Sequence, residues 1–327
     1  MPRILSPTDQ DVRLFCALPG PGDLDADAVR QQAPDASLLE EEAGLPVGRA
    51  SLWWRAAPAL RGERVGLIGH YAAADAHAAS RLLSASCNHL ASVGCTIAIG
   101  PMDGSTWRRY RLLTLRGSEP TFFLEPDNPD DWPGHFERSG FGPLAQYYSA
   151  LCDDLAAIPM ADAAAQRLRA DGFTMRPIEL ARIDAELSAL WRLATDAFAG
   201  NFLYTSIAEG EFRAMYSALL PVLKPELVLL AERAGRAVGF GFSVPDVLQA
   251  KRGKPIDTIV FKTLAVAPDV VQRGVGKWIF DETIRAARAL GLRRAIFALI
   301  HEGNPSGRLA HPHGRDFRRY TLYARRL

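Results

Sequence analysis

Sliding the 327-residue chain along itself by 197 residues lays one strand, helix, strand pattern over another, which restricts it to folds made of two similar halves. "RVGLIGHY" (64–71) falls over "FKTLAVAP" (261–268) without a gap, and both read as strands. The helical stretch 78–94 falls over 275–291. Each stretch ends in a glycine, Gly94 and Gly291, the residue that best accepts the left-handed conformation beyond a helix end. Strand-like runs follow, "CTIAIGP" and "RRAIFALI", and each half closes with a glycine and an aromatic-rich strand, "SGFGPLAQYYSAL" and "HGRDFRRYTLYARRL". An alanine-rich, helix-prone stretch with an internal proline, 153–171, lies between the halves. Two domains are therefore expected, 1–170 and 171–327.

Composition limits the partners. Apolar residues make up 48%, enough for a core in each half, and the net charge of +1 gives no general attraction to nucleic acid or a membrane surface. No run of about 18 apolar residues occurs and the start, "MPRILSPTDQDV", lacks an apolar leader, so cytoplasmic residence is the expectation. Cys16, Cys87, Cys95 and Cys152 show no C-x-x-C spacing and read as reduced, mostly buried residues. His301, Glu302, His311 and His313 do not form H-E-x-x-H, and no metal is expected. The five arginines of "GRDFRRYTLYARRL" read as solvated residues of a terminal strand rather than a nucleic-acid surface.

The second half carries the chemistry. Its order is strand "FTMRPIEL", helix "ARIDAELSALWRLATDAF", a loop and helix up to "PVL", a hairpin turning at Ala234-Gly235, strand 258–266, an amphipathic helix, strand 294–300 and the final aromatic segment. Val275, Trp278, Ile279, Ile284, Ala287 and Leu290 form the apolar face of that helix. In "LAVAPDVVQRGVGKWIF" (264–280) glycines stand where a strand gives way to this helix. The backbone N–H groups of Arg273 through Lys277 are free at a helix start, so they can hold a pyrophosphate, with Arg273 and Lys277 adding charge. The first half has Ala76, His77 and Ala79 in place of Arg273, Gly274 and Gly276, and so lacks the phosphate-ready turn.

With these residues the chain resembles the GNAT superfamily of N-acyltransferases. "LAVAPDVVQRGVGKWI" matches its V-x-P and Q/R-x-x-G-x-G/A signature, "HEGNPSGRLAHPHG" its Asn-initiated fourth helix and "RRYTLYARRL" its closing strands. "AFAGNFLYTSIAEGEF", "PELVLLAERAGRAVGFGFSVPD" and, in the first half, "GPMDGSTWRRYRLL" look like a bacterial group within that superfamily. The resemblance implies an α/β (α+β) fold: two tandem GNAT-like domains, each a mixed, mostly antiparallel twisted sheet flanked by helices, the first degenerate. It implies an acetyl-coenzyme A or other acyl-coenzyme A co-substrate, with cofactor-binding positions at Leu264, Ala265, Val266, Gln272, Arg273, Gly274, Val275, Gly276, Lys277 and Asn304. Strand 263–266 would pair with the pantetheine amides, and an N–H near Leu264 or Val266 would polarise the thioester carbonyl. Val271 departs from the signature's glutamine or arginine, although Gln272 and Arg273 follow at once.

The expected reaction is acyl transfer, acetyl transfer first among the choices, to a small amine or amino-acid-like acceptor by direct attack on the thioester. Such attack needs a base for the amine and an acid for the thiolate. Glu209 and Glu211 are the candidate bases, His311, seven residues after Asn304, the candidate acid, and Tyr204, Tyr320 and Tyr323 candidate groove residues, Tyr320 with the catalytic set. Lys262 borders the strand but has the wrong charge type for a base. Two alternatives stand beside this reading: a non-catalytic binding module, and an acyltransferase fed by an acyl carrier protein.

Overall fold

The computed structural model describes residues 2–5, 9–18, 20 and 24–327; residues 1 and 6–8 of the opening stretch lie outside the described residues. Ala234 and Gly235 both take positive φ, 50° and 74°, which matches the twist of the strands they join and closes the expected hairpin. The first half supplies β1 (Arg3–Ile4), β2 (Ala36–Glu42), β3 (Leu45–Trp53), β4 (Val65–Ala73), β5 (Ile97–Gly100), β6 (Leu112–Leu115) and β7 (Gly142–Cys152). The second supplies β8 (Phe173–Pro177), β9 (Val228–Arg233), β10 (Arg236–Pro245), β11 (Thr258–Val266), β12 (Arg294–His301) and β13 (Arg315–Arg326). Each half has a run of antiparallel strands ending in one parallel pair, β4 with β5 and β11 with β12.

The strands form a single sheet in the order β1-β2-β3-β4-β5-β13-β7-β12-β11-β10-β9-β8, with β6 beside β13. The closing strands are exchanged. β7 of the first half pairs with β12 of the second, while β13 of the second pairs with β5 of the first, and β7 and β13 pair with each other. The polypeptide boundary near 170 is therefore crossed by the sheet, because each half's last strand fills the place next to the other half's parallel pair.

Strand register also corrects the ungapped repeat. The fifth strands match at an offset of 197 (Ile97 against Arg294), but their parallel partners Val65 and Thr258 match at 193. The additional residues form a 3₁₀ segment, Pro268–Arg273, between β11 and helix Val275–Ala289; in the first half β4 passes to helix Ala76–Ser92 through Ala74 and Asp75 alone.

Val275, Trp278, Ile279, Ile284 and Ala287 are buried against the sheet, as the pattern requires. Leu290 is 42% exposed, because it follows the last helical turn as its cap. Helix Ala76–Ser92 likewise buries Leu82, Leu83 and Leu90 against Leu38, Leu52 and Ile68. β13 departs most from expectation. It lies in the middle of the sheet, and a register shift between Asp316 and Arg318 turns Arg318 inward. Arg318 is 0% exposed and ion-paired to Glu125 at 2.9 Å, whereas Arg319 is the solvated residue that alternation predicts. Among the described residues no helix is long and apolar enough to cross a membrane.

Candidate functional site

β11 and β12 pair only from Thr258 to Phe261 on one strand and Arg294 to Phe297 on the other. Beyond that point the strands diverge, since β12 is pulled into its pairing with β7 through a register shift between Phe297 and Ile300. Leu299 sits at φ 61° in this irregular stretch and donates its N–H to Ser149 Oγ at 3.0 Å. A cavity of about 880 Å³ opens in the gap. Lys262, Thr263 and Leu264 line one side and Leu299, Ile300 and His301 the other, while the first half contributes its 106–111 and 124–126 loops. This volume lies near the upper end for small-molecule sites, and placement between two units is a common one.

Leu264, which lines the cavity, lies beside the glycine turn. Gly274 is left-handed at φ 88°, and helix Val275–Ala289 begins with no side-chain cap. A Cβ built at Gly276 would lie 3.6 Å from Leu264 Cδ2 and 3.5 Å from Val266 Cγ2, so the uncapped helix start sits over the strand that lines the cavity. The first half differs here in a way the sequence comparison did not anticipate. Asp75 caps helix Ala76–Ser92, its carboxylate accepting from His77 and Ala78 N–H at 2.9 and 2.8 Å. Those bonds, the Ala78 one foremost, hold the carboxyl below its usual range. That helix start has already spent its donors on a side chain. In the second half, Arg273 contacts Asp171 at 3.4 Å, and Lys277 pairs with Asp281 at 2.5 and 2.6 Å, so both cations at the turn have carboxylate neighbours.

Inside the cavity the charges are unevenly compensated. Burial, with Arg111 adding repulsion, brings the Lys262 ammonium down to about 7. Its Nζ lies 3.3 Å from the Leu124 carbonyl, its one hydrogen-bond partner among the described residues. Lysine is thus the wrong charge type only in water; in this wall it is neutral above about pH 7. Burial and Arg111 likewise keep His301 below the ordinary imidazole value, and its Nδ1 accepts the Gly303 N–H at 3.2 Å. Glu125 also borders the cavity, but its carboxylate is held by Arg318 Nε at 2.9 Å and by the Tyr320 hydroxyl at 2.6 Å.

The structure brings some of the sequence-predicted residues together and separates others. Leu264, Asn304 and Tyr204 line the cavity. Gln272, Arg273, Gly274, Val275, Gly276 and Lys277 form the adjoining turn, with Ala265 buried within β11 and Val266 beside Gly276. Glu209 accepts the Ser188 hydroxyl, and Glu211 is bound by Arg108 at 2.6 and 3.0 Å; neither lines the cavity. His311 ends the single turn Gly307–Ala310 and stacks on Tyr148 at 4.9 Å, since Pro312 stops the helix there. Tyr320 is wholly buried behind Glu125, and Tyr323 is in the first half's core against Phe136, its hydroxyl on Glu137. Sequence reasoning missed Arg111 and the 124–126 loop, whose role depends on reaching across from the other half; the only local signal was the arginine and aromatic density of "STWRRYRLL".

No protein-family model matches the chain. A bacterial ceramide synthase from Caulobacter vibrioides is 27% identical over 191 residues, 58% of this chain and 50% of that protein, so the match spans about half the relative's length. Among solved structures, a GCN5-related N-acetyltransferase from Anabaena variabilis aligns over 99% of this chain and 72% of its own, with a TM-score of 0.56 at 9% identity. A tandem GNAT protein from the clavulanic acid biosynthesis pathway aligns over 100% of this chain and 98% of its own, with a TM-score of 0.51 at 12% identity. The chain has the tandem GNAT fold. Within this tandem GNAT fold the uncapped helix start of the second half lies beside Leu264, which lines the 880 Å³ cavity, and the first half supplies the cavity's far wall.

Proposed function

We propose that the protein is an N-acyltransferase that takes an acyl group from acyl-coenzyme A and transfers it to an amine held between the two halves. The observation that carries this reading is the asymmetry of the helix starts. The first half's is capped by Asp75, while the second half's is uncapped and continues along Leu264 into a cavity large enough for an acyl group and an acceptor. The free N–H groups of Val275, Gly276 and Lys277 suit a pyrophosphate. The cavity-facing edge of β11 beyond Phe261, which β12 leaves unpaired, suits the amides of a pantetheine arm.

In the reaction the neutral amine attacks the thioester carbon, a C–N bond forms, the C–S bond breaks, the nitrogen gives up a proton and the thiolate gains one. Lys262, neutral above about pH 7 and lining the cavity, is assigned to take the amine's proton. His301, with Nδ1 occupied by an N–H, presents Nε2–H as a donor for the departing thiolate. The likeness to a protein named as a ceramide synthase is in keeping with amide-bond formation. Calorimetric titration with acetyl-coenzyme A tests the donor site, with one site per chain expected. Mass spectrometry of an amine panel then tests for an N-acyl product; failure to bind any acyl-coenzyme A overturns the reading.

A further inference from the structure

Arg111 is a cation without a counter-ion. It is 6% exposed, with Cζ 4.1 Å from the Tyr110 ring centroid and 4.2 Å from that of Tyr147. Nη1 donates to the Tyr110 hydroxyl at 2.8 Å, but Nε has no hydrogen-bond partner, and no carboxylate pairs with the group among the described residues. Its backbone is left-handed at φ 68°, a conformation a residue with a long side chain adopts only against a cost. The surrounding carboxylates are engaged elsewhere: Glu125 by Arg318, Glu211 by Arg108, Asp127 by Arg116, and Asp103 by the His70 N–H. The Arg109 side chain, two residues earlier, makes no hydrogen bond or ion pair among the described residues, and Asp103 and Asp127 attract it only from a distance. Both arginines line the 880 Å³ cavity and, on their other side, a cavity of about 320 Å³ in the first half that reaches His70 and Asn128.

A buried lysine escapes an unpaired charge by releasing its proton, as Lys262 does across the same cavity; a guanidinium cannot. The free edge of Arg111 therefore stays charged and unsatisfied until an anion meets it, and a planar guanidinium edge matches a carboxylate or phosphate with two hydrogen bonds. The donor's path, from the helix start along β11, lies in the second half, whereas these two arginines are on the opposite wall and open toward the first half's cavity.

We infer that Arg109 and Arg111 bind an anionic group, a carboxylate or a phosphate, carried by the amine acceptor at the end away from its reacting nitrogen. This rests on the acyl-transfer reading for the word acceptor, but not for the anion site. The first measurement is independent of any activity. In isotope-labelled protein the Arg111 Nε–H resonance, assigned by its loss in Arg111→Lys, is followed during titration with inorganic phosphate. A saturable shift at millimolar phosphate is expected, weakened roughly tenfold in Arg109→Gln. No shift up to roughly 100 mM overturns the site, since a charge-assisted bidentate contact is formed well below that concentration. Arg109 is on the exposed side, so its variant still reports binding if Arg111 substitutions fail to fold.

The second measurement compares phosphoethanolamine with ethanolamine and glycine with methylamine, using acetyl-coenzyme A as donor. The anionic member of each pair is expected to lead by roughly tenfold or more in kcat/KM, with the lead lost through KM in Arg111→Gln while acetyl-coenzyme A affinity stays unchanged. Equal use of both members overturns the assignment to the acceptor. So does a preference that follows the donor instead, with succinyl-coenzyme A favoured over acetyl-coenzyme A and that preference lost in Arg111→Gln. If acetyl-coenzyme A itself fails to bind, the acyl-transfer reading falls and the phosphate titration still decides the anion site.

Discussion

Gly276→Glu separates donor binding from folding, and the structure allows both effects to be sized. Gly276 is the second residue of helix Val275–Ala289, and its conformation is not left-handed, unlike that of Gly274 at φ 88°. An added Cβ meets Leu264 Cδ2 at 3.6 Å and Val266 Cγ2 at 3.5 Å, ordinary contact distances that need no rearrangement. Glycine is the poorer helix former by about 0.5–1 kcal/mol, and a carboxylate in a first helical turn adds roughly 0.3–1 kcal/mol. Folding stability should therefore be unchanged or slightly higher. For the donor the same substitution is costly, because it puts a negative charge and side-chain bulk between the helix start and β11. Losing two charge-assisted hydrogen bonds at about 1.5–3 kcal/mol each weakens affinity by roughly a hundredfold to ten-thousandfold. Calorimetry with acetyl-coenzyme A and a melting curve on the same sample are the assay. Unchanged melting with lost binding is expected; normal affinity in a well-folded variant would refute the assignment of the turn as the pyrophosphate site.

Three further outcomes are expected. Acyl-transfer rate should rise with pH through about 7, the value to which burial lowers Lys262, and Lys262→Met should flatten that limb. Because the folded lysine binds its proton more weakly than the ordinary value of 10.5, the native state carries the whole penalty below about pH 7 and sheds it as pH rises. Lys262→Met should therefore gain more in melting temperature at pH 6 than at pH 10. Arg318→Met leaves Glu125 buried without its cation and should cost about 3–5 kcal/mol in urea unfolding, part of it recovered by adding Glu125→Gln. Residues 1–170 and 171–327, expressed separately, should each remain largely unfolded by circular dichroism and recover a cooperative melt on mixing, since β7 and β13 close each other's sheets. Independent folding of either piece would count against that account.

The tandem plan, the Ala234-Gly235 hairpin, strand 258–266 and the helix beginning at Val275 were legible in the sequence, because turn chemistry, period and glycine stops are local properties of a few consecutive residues. So was the glycine turn before that helix, since the left-handed Gly274 is a local property of the chain. Tertiary structure decided what those elements face. The strand exchange sets β7 beside β12 and β13 beside β5, pairings between residues far apart in sequence that periodicity cannot report. The inward turn of Arg318 comes from a register shift against β7, which reverses the alternation that made it look solvated. The reactive groups follow the same rule. Glu209 and Glu211 carry the right chemistry for a base, but neighbouring side chains hold them outside the cavity. Lys262 becomes chemically distinctive only because a loop of the first half covers it, and Arg111 because Tyr110 and Tyr147 enclose it: charge state and unmet hydrogen bonds depend on surroundings that the chain assembles in space.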